Sequence, residues 1–172
     1  DNKVNAPAEW QRLMSGELKM FSTSPSIKAV FPGAFNPMHQ GHKTIAQVAQ
    51  KRLGQPVHFE VSVTNVDTPA LSYWHLERRI QGLKTAGPYV LTSAPTFREK
   101  ATLFPKACFL VGADTILRID NDRYYASPSD RLAAIAYITS QNCRFLVFGR
   151  MIDGSFKTLS DLSLSPQLDQ LC

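Results

Sequence analysis

From Ile27 onward, short apolar runs alternate with stretches of helical periodicity, and this alternation limits the fold more than any other property of the chain. Ile27 to Phe31 reads as a strand that ends at Pro32-Gly33. Gly41 to Leu53 reads as a helix with Ile45, Val48 and Ala49 on one face and Gly54 as its stop. Strands are then predicted at Val57–Thr64, Tyr89–Thr92, Ala107–Val111 and Cys143–Phe148. Helices are predicted between them at Tyr73–Leu83, Thr96–Leu103, Thr115–Ile119 and Ser129–Ser140. Single strands separated by helices favour an α/β fold, here a Rossmann-like doubly wound parallel sheet of about five strands with flanking helices. Ligands of such sheets bind beyond the carboxyl ends of the strands, where the strand order reverses.

Ahead of this pattern, residues 1–26 read as an N-terminal helix, weakly periodic from Glu9 to Met20, and a linker at Ser22–Ser26. Residues 27–172 read as one domain, and a 172-residue chain with 44% hydrophobic residues can bury a core of that size.

The loop after the first strand carries the chemistry. It reads Gly33-Ala34-Phe35-Asn36-Pro37-Met38-His39-Gln40-Gly41-His42 and leads into a helix. A helix N-terminus presents unpaired backbone N–H groups and a partial positive charge, which together favour phosphate. Gly33 permits a tight turn and close approach of a ligand. His39 and His42, three apart around Gly41, can aim at one point ahead of the first helical turn and stabilise charge developing on phosphorus. With 4 His and 9 Gly in the chain, a chance His-x-Gly-His is rare. The segment matches neither the P-loop nor the three-glycine dinucleotide fingerprint. Two further readings remain open for the histidines: helix capping or packing, and zinc ligation, for which no third ligand is evident.

The segment resembles the nucleotidylyltransferase superfamily with a His-x-Gly-His motif. The nearest branch in motif is the nicotinamide or nicotinate mononucleotide adenylyltransferases, matched at Gly33, Phe35, Asn36, Pro37, His39, Gly41 and His42. The resemblance spans roughly residues 27–150 and includes Gly112-Ala113-Asp114 after the fourth predicted strand. It implies transfer of AMP, or less readily CMP, from a nucleoside triphosphate to a phosphate-bearing acceptor such as nicotinamide mononucleotide, with release of pyrophosphate. His39 and His42 would be catalytic. Gly33, Ala34, Phe35, Gly41, Gly112 and Asp114 would bind the nucleotide, and Mg²⁺ would accompany the triphosphate. Asp114 also suits a helix N-cap. A nucleotide-binding module without transferase activity and a triphosphate hydrolase are the other functions compatible with the loop.

Family members usually carry a later Ile-Ser-Ser-Thr-x-x-Arg string that holds the triphosphate from the far side. No such string occurs here, and the nearest stretch is Leu159 to Ser165. Basic residues that compensate are sought in Arg150, which follows the fifth strand, and in Arg78, Arg79 and Lys100. Asn65, after the second strand, is a candidate acceptor contact, and Arg123-Tyr124-Tyr125 a candidate ring-stacking element.

Composition narrows the partners. The chain has 19 Lys+Arg against 14 Asp+Glu, a net charge of +5, and no basic block of the kind a nucleic-acid arm requires. No apolar run approaches a membrane span and no signal peptide is visible, so a cytoplasmic protein is expected. Cys108, Cys143 and Cys172 lack metal-ligand spacing and read as small, reduced core residues. Nothing in the sequence indicates the oligomeric state.

Overall fold

The computed structural model describes residues 8–22, 24, 26–35, 37–63 and 69–172. The elements are α1 (Ala8–Met14), β1 (Met20–Ser22), β2 (Ala29–Pro32), α2 (Gln40–Leu53), β3 (Val57–Ser62), α3 (Pro69–Ala86), β4 (Tyr89–Thr92), α4 (Phe97–Leu103) and β5 (Cys108–Gly112). They continue with α5 (Ala113–Ile119), α6 (Pro128–Ser140), β6 (Arg144–Phe148), β7 (Arg150–Ile152), β8 (Ser155–Lys157) and α7 (Pro166–Asp169). The main sheet has six strands in the order β1-β4-β3-β2-β5-β6, parallel except for β1. This is the expected α/β architecture.

Alternating side chains bury both faces of the sheet, which is why its strands read as continuous apolar runs. Val30, Phe109, Val111 and Phe145 share one core with Ile116, Ile135 and Ile138 from α5 and α6. Ala29, Phe31, Phe59 and Leu110 share the other with Ala46 and Ala49 of α2 and Ile80 and Leu83 of α3. Leu13 of α1 is fully buried in this second core, and β1 pairs antiparallel with β4, Phe21 opposite Leu91. The sheet therefore takes in Ser22, the first residue of the expected linker.

Local signals set the helix ends. Gly54 closes α2 at φ 65, a left-handed conformation that costs glycine little. Thr96 caps α4 by accepting the Glu99 N–H, and Ser127 caps α6 by accepting the Asp130 N–H. Among the described residues, no helix is long and apolar enough to cross a membrane.

The chain winds from β2 through β3 to β4 in one direction, then returns to β5 and β6 on the other side of β2. The strand order thus reverses between β2 and β5. The ladder between them pairs Ala29 with Cys108 and Val30 with Phe109, and goes no further. Beyond Val30 the two strands splay, and a crevice opens between their carboxyl ends.

Candidate active site

The crevice has a volume of about 440 Å³ and is bordered by Gly33, Ala34 and Phe35 on one side and by Gly112 and Asp114 on the other. His39, Gly41, His42 and Arg150 line it as well. All eight residues expected to bind nucleotide or catalyse therefore meet at the switch point as lining residues from three chain segments, and Arg150 joins them from a fourth. Asn65 and Asn36 lie outside the described residues.

The glycine loop is anchored from below. The Gly33 N–H donates to the Glu60 carbonyl at 3.0 Å, which ties the loop to the end of β3. Phe35 is buried and packs edge-on against Phe31, Phe59 and His42, at 5.2, 5.2 and 5.0 Å between ring centroids. Its φ is 47, a left-handed conformation that a bulky residue rarely adopts. The aromatic contacts hold the residue there, so its ring serves the core while its backbone borders the crevice. A methyl group at Gly33 would lie 2.8 Å from the Phe35 ring, which explains the glycine by space.

The two histidines form one unit at the start of α2. Their rings stack at 3.6 Å between centroids, with 25° between planes. The backbone N–H of His39 donates to Nδ1 of His42 at 3.2 Å. Since Nδ1 accepts, the neutral His42 ring carries its proton on Nε2, as a donor. Burial holds the His42 pKa below its ordinary value, and the neighbouring His39 and Arg150 lower it further. A methyl on Gly41 would lie 3.0 Å from the folded-over His39 ring, so the glycine in His-x-Gly-His makes room for that ring.

Opposite the histidines, Gly112 occupies the N-cap position of α5, and Asp114 falls in the first turn. The reading of Asp114 as the cap of this helix is therefore corrected: the helix begins two residues earlier than the sequence pattern indicates. The Asp114 carboxylate instead faces Arg150, with Nε to Oδ1 at 3.7 Å. A methyl at Gly112 would lie 2.6 Å from Asp114 Oδ1 and 2.7 Å from Arg150 Cγ. Gly112 thus lets this pair approach the strand end.

Several other candidates stand elsewhere. Arg78 lies over the Trp74 ring at 4.8 Å and does not border the crevice, nor does Arg79. Tyr124 is exposed, and the Tyr125 hydroxyl donates to the Ile119 carbonyl at 2.7 Å, so this segment braces the chain after α5. Ser165 donates to the Asp120 carboxylate through both its N–H (2.7 Å) and its hydroxyl (2.6 Å), which ties the start of α7 to the end of α5. Lys100 lines the crevice, but Glu60 and the Ala94 carbonyl engage its ammonium. Among the described residues, no group of three or more His, Cys, Asp or Glu is arranged to hold a metal.

Two parts of the site are absent from the expectations drawn from the sequence, although one of them carries a local signal. Phe97, at the start of α4, borders the crevice from the side of Lys100. The β7–β8 hairpin, which begins with Arg150, was legible: Asp153-Gly154 is a two-residue hairpin signal, and both residues have positive φ, 49 and 80.

Comparison with known proteins gives one match. The family described as Cytidylyltransferase-like matches residues 30–158, which span every element bordering the crevice. No curated protein and no solved structure matches the chain.

Proposed function

The chain belongs to the cytidylyltransferase-like family, whose membership implies a nucleotidyltransferase, and on that premise we propose that it moves AMP from ATP to a phosphate-bearing acceptor, with nicotinamide mononucleotide the first acceptor to test. The observation that carries this reading is the His39–His42 unit at the head of α2, beside a glycine loop at the switch point. The preference for ATP and for a mononucleotide acceptor rests on the Gly-x-Phe-Asn-Pro-x-His-x-Gly-His resemblance.

The chemistry asks little of covalent catalysis. An oxygen of the acceptor phosphate attacks the α-phosphorus of the triphosphate. A new P–O bond forms as the bond from the α-phosphorus to the α–β bridging oxygen breaks, and pyrophosphate leaves. His42 donates through Nε2–H to the charge that develops, the first N–H groups of α2 and the His39 ring add to it, and Arg150 supplies a fixed positive charge. Among the described residues lining the crevice, Asp114 is the one carboxylate. That donor set suits Mg²⁺ held mainly by phosphate oxygens and water, and bound Mg²⁺ supplies charge neutralisation on the triphosphate.

One observation favours a second reading, a module that binds a nucleotide without transferring it. The serine stretch at 159–165 does not line the crevice, and Ser165 is committed to Asp120. Incubation with α-labelled ATP or CTP, Mg²⁺ and nicotinamide mononucleotide separates the two. Pyrophosphate and a labelled dinucleotide in equal amounts support transfer. Saturable binding with no product supports the module, and labelled monophosphate without a dinucleotide indicates hydrolysis.

A further inference from the structure

Beside the crevice, with Lys100 on its lining, lies a buried ion pair that the chemistry above does not use. Glu60 at the end of β3 and Lys100 on α4 are 1% and 4% exposed. The Lys100 ammonium donates to Glu60 Oε1 at 2.9 Å, to Oε2 at 2.8 Å and to the Ala94 carbonyl at 2.8 Å, which uses all three of its donors. Thr92, at the end of β4, donates through its hydroxyl to Glu60 Oε2 at 2.6 Å and accepts the Ala94 N–H at 3.2 Å.

Stability alone does not account for this arrangement. Desolvating two charges costs about as much as their attraction returns, and apolar residues of similar volume commonly do as well or better in such positions. What the pair does provide is connection. The Glu60 carbonyl holds the Gly33 N–H, and its carboxylate holds Thr92 and Lys100. Lys100 in turn clamps Ala94 in the turn between β4 and α4. Its ammonium also sits 5.9 Å from the Phe97 ring centroid. The glycine loop and the segment that carries Phe97 are thus tied to one buried residue, the loop through the Glu60 carbonyl and the segment through its carboxylate and Lys100.

We propose that Glu60 and Lys100 are positioning residues, which fix the 93–97 segment relative to Gly33 and so set the width of the substrate crevice. Substrate binding between these walls rests on the transferase reading; the positioning of the walls does not. Neither residue touches the reacting atoms.

The test replaces both charges at once, Glu60→Gln with Lys100→Met, so that no unpaired charge is buried. Three quantities are read: thermal stability, amide hydrogen exchange by segment, and kcat and KM for nucleotidyl transfer. The pair as a positioning device predicts a melting temperature near that of the parent. Exchange at Ala94 to Phe97 rises at least tenfold while β2 and β5 keep their protection, and kcat/KM falls at least tenfold, through KM more than kcat. Unchanged exchange in that segment overturns the proposal, and so does a uniform rise across the whole sheet. If the double variant does not fold, Thr92→Val removes one hydrogen bond to Glu60 and one acceptor for Ala94. It is expected to loosen the same segment to a smaller degree, and unchanged exchange there overturns the proposal equally. If the parent protein transfers nothing, the transferase reading fails, while hydrogen exchange still decides the role of the pair.

Discussion

Nδ1 of His42 accepts the backbone N–H of His39 at 3.2 Å while the two rings stack at 3.6 Å. One hydrogen bond thus sets the tautomer of the inner histidine and leaves its proton on Nε2. Burial, the neighbouring His39 and the Arg150 cation keep that ring neutral more readily than a free imidazole.

A proton linkage follows. Because the His42 pKa is lowered in the free protein, its ring stays neutral over more of the acid range than a free imidazole. A bound triphosphate favours the protonated ring, so binding is expected to take up protons as the pH falls toward the lowered His42 value. Calorimetric titration of Mg-ATP in buffers of different ionisation enthalpy reads this directly. The same shift acts on stability. The unfolded chain binds the His42 proton more tightly, so this contribution to stability is present above about pH 6.5 and is lost as the pH falls through the lower folded value.

Arg150 is expected to serve both binding and this tuning. Arg150→Ala removes a cation that depresses the His42 pKa, so that pKa should rise, as measured by NMR titration of the imidazole. Loss of a charged contact to phosphate should also weaken triphosphate binding by about tenfold, in line with about 1.5 kcal/mol for a hydrogen bond to a charged group.

Gly112→Ala tests the opposite wall. The added methyl must displace the Asp114 carboxylate or the Arg150 stem, 2.6 and 2.7 Å away. Its φ of −75 is open to any residue, so the effect comes from space and not from backbone strain. We expect nucleotide affinity to drop by about tenfold or more, with a stability loss of only about 1–2 kcal/mol by denaturant titration.

The three thiols are expected to be inert. Burial raises the pKa of Cys108, Cys143 and Cys172, that of Cys172 to about 11, so thiolate is scarce at neutral pH. A thiol-disulfide reagent at pH 8 should modify the folded protein far more slowly than the denatured chain.

The contrast between His42 and Lys100 shows what the sequence could reveal. His39, Gly41 and His42 act over one helical turn, and their spacing alone predicts a shared target. Gly54 and Thr96 likewise mark helix ends through local backbone chemistry. Lys100 meets Glu60 across 40 positions, and no local pattern records which strand end faces which helix. Ser22 resembled linker because its neighbours are Ser, Thr and Pro, yet the open edge of β4 recruits it into the sheet. An aspartate near a helix start suits either the N-cap or the first turn, so the local rule does not separate the two, and Asp114 takes the first-turn position.

Transfer of label from α-labelled ATP to nicotinamide mononucleotide, compared between the parent protein and His42→Ala at equal melting temperature, tests the account most directly. Loss of a preorganised donor predicts a rate lower by about 10²-fold or more in the variant, with triphosphate binding weakened far less. A folded His42→Ala protein that transfers label at the parent rate would contradict the assignment of His42 and of the site built around it.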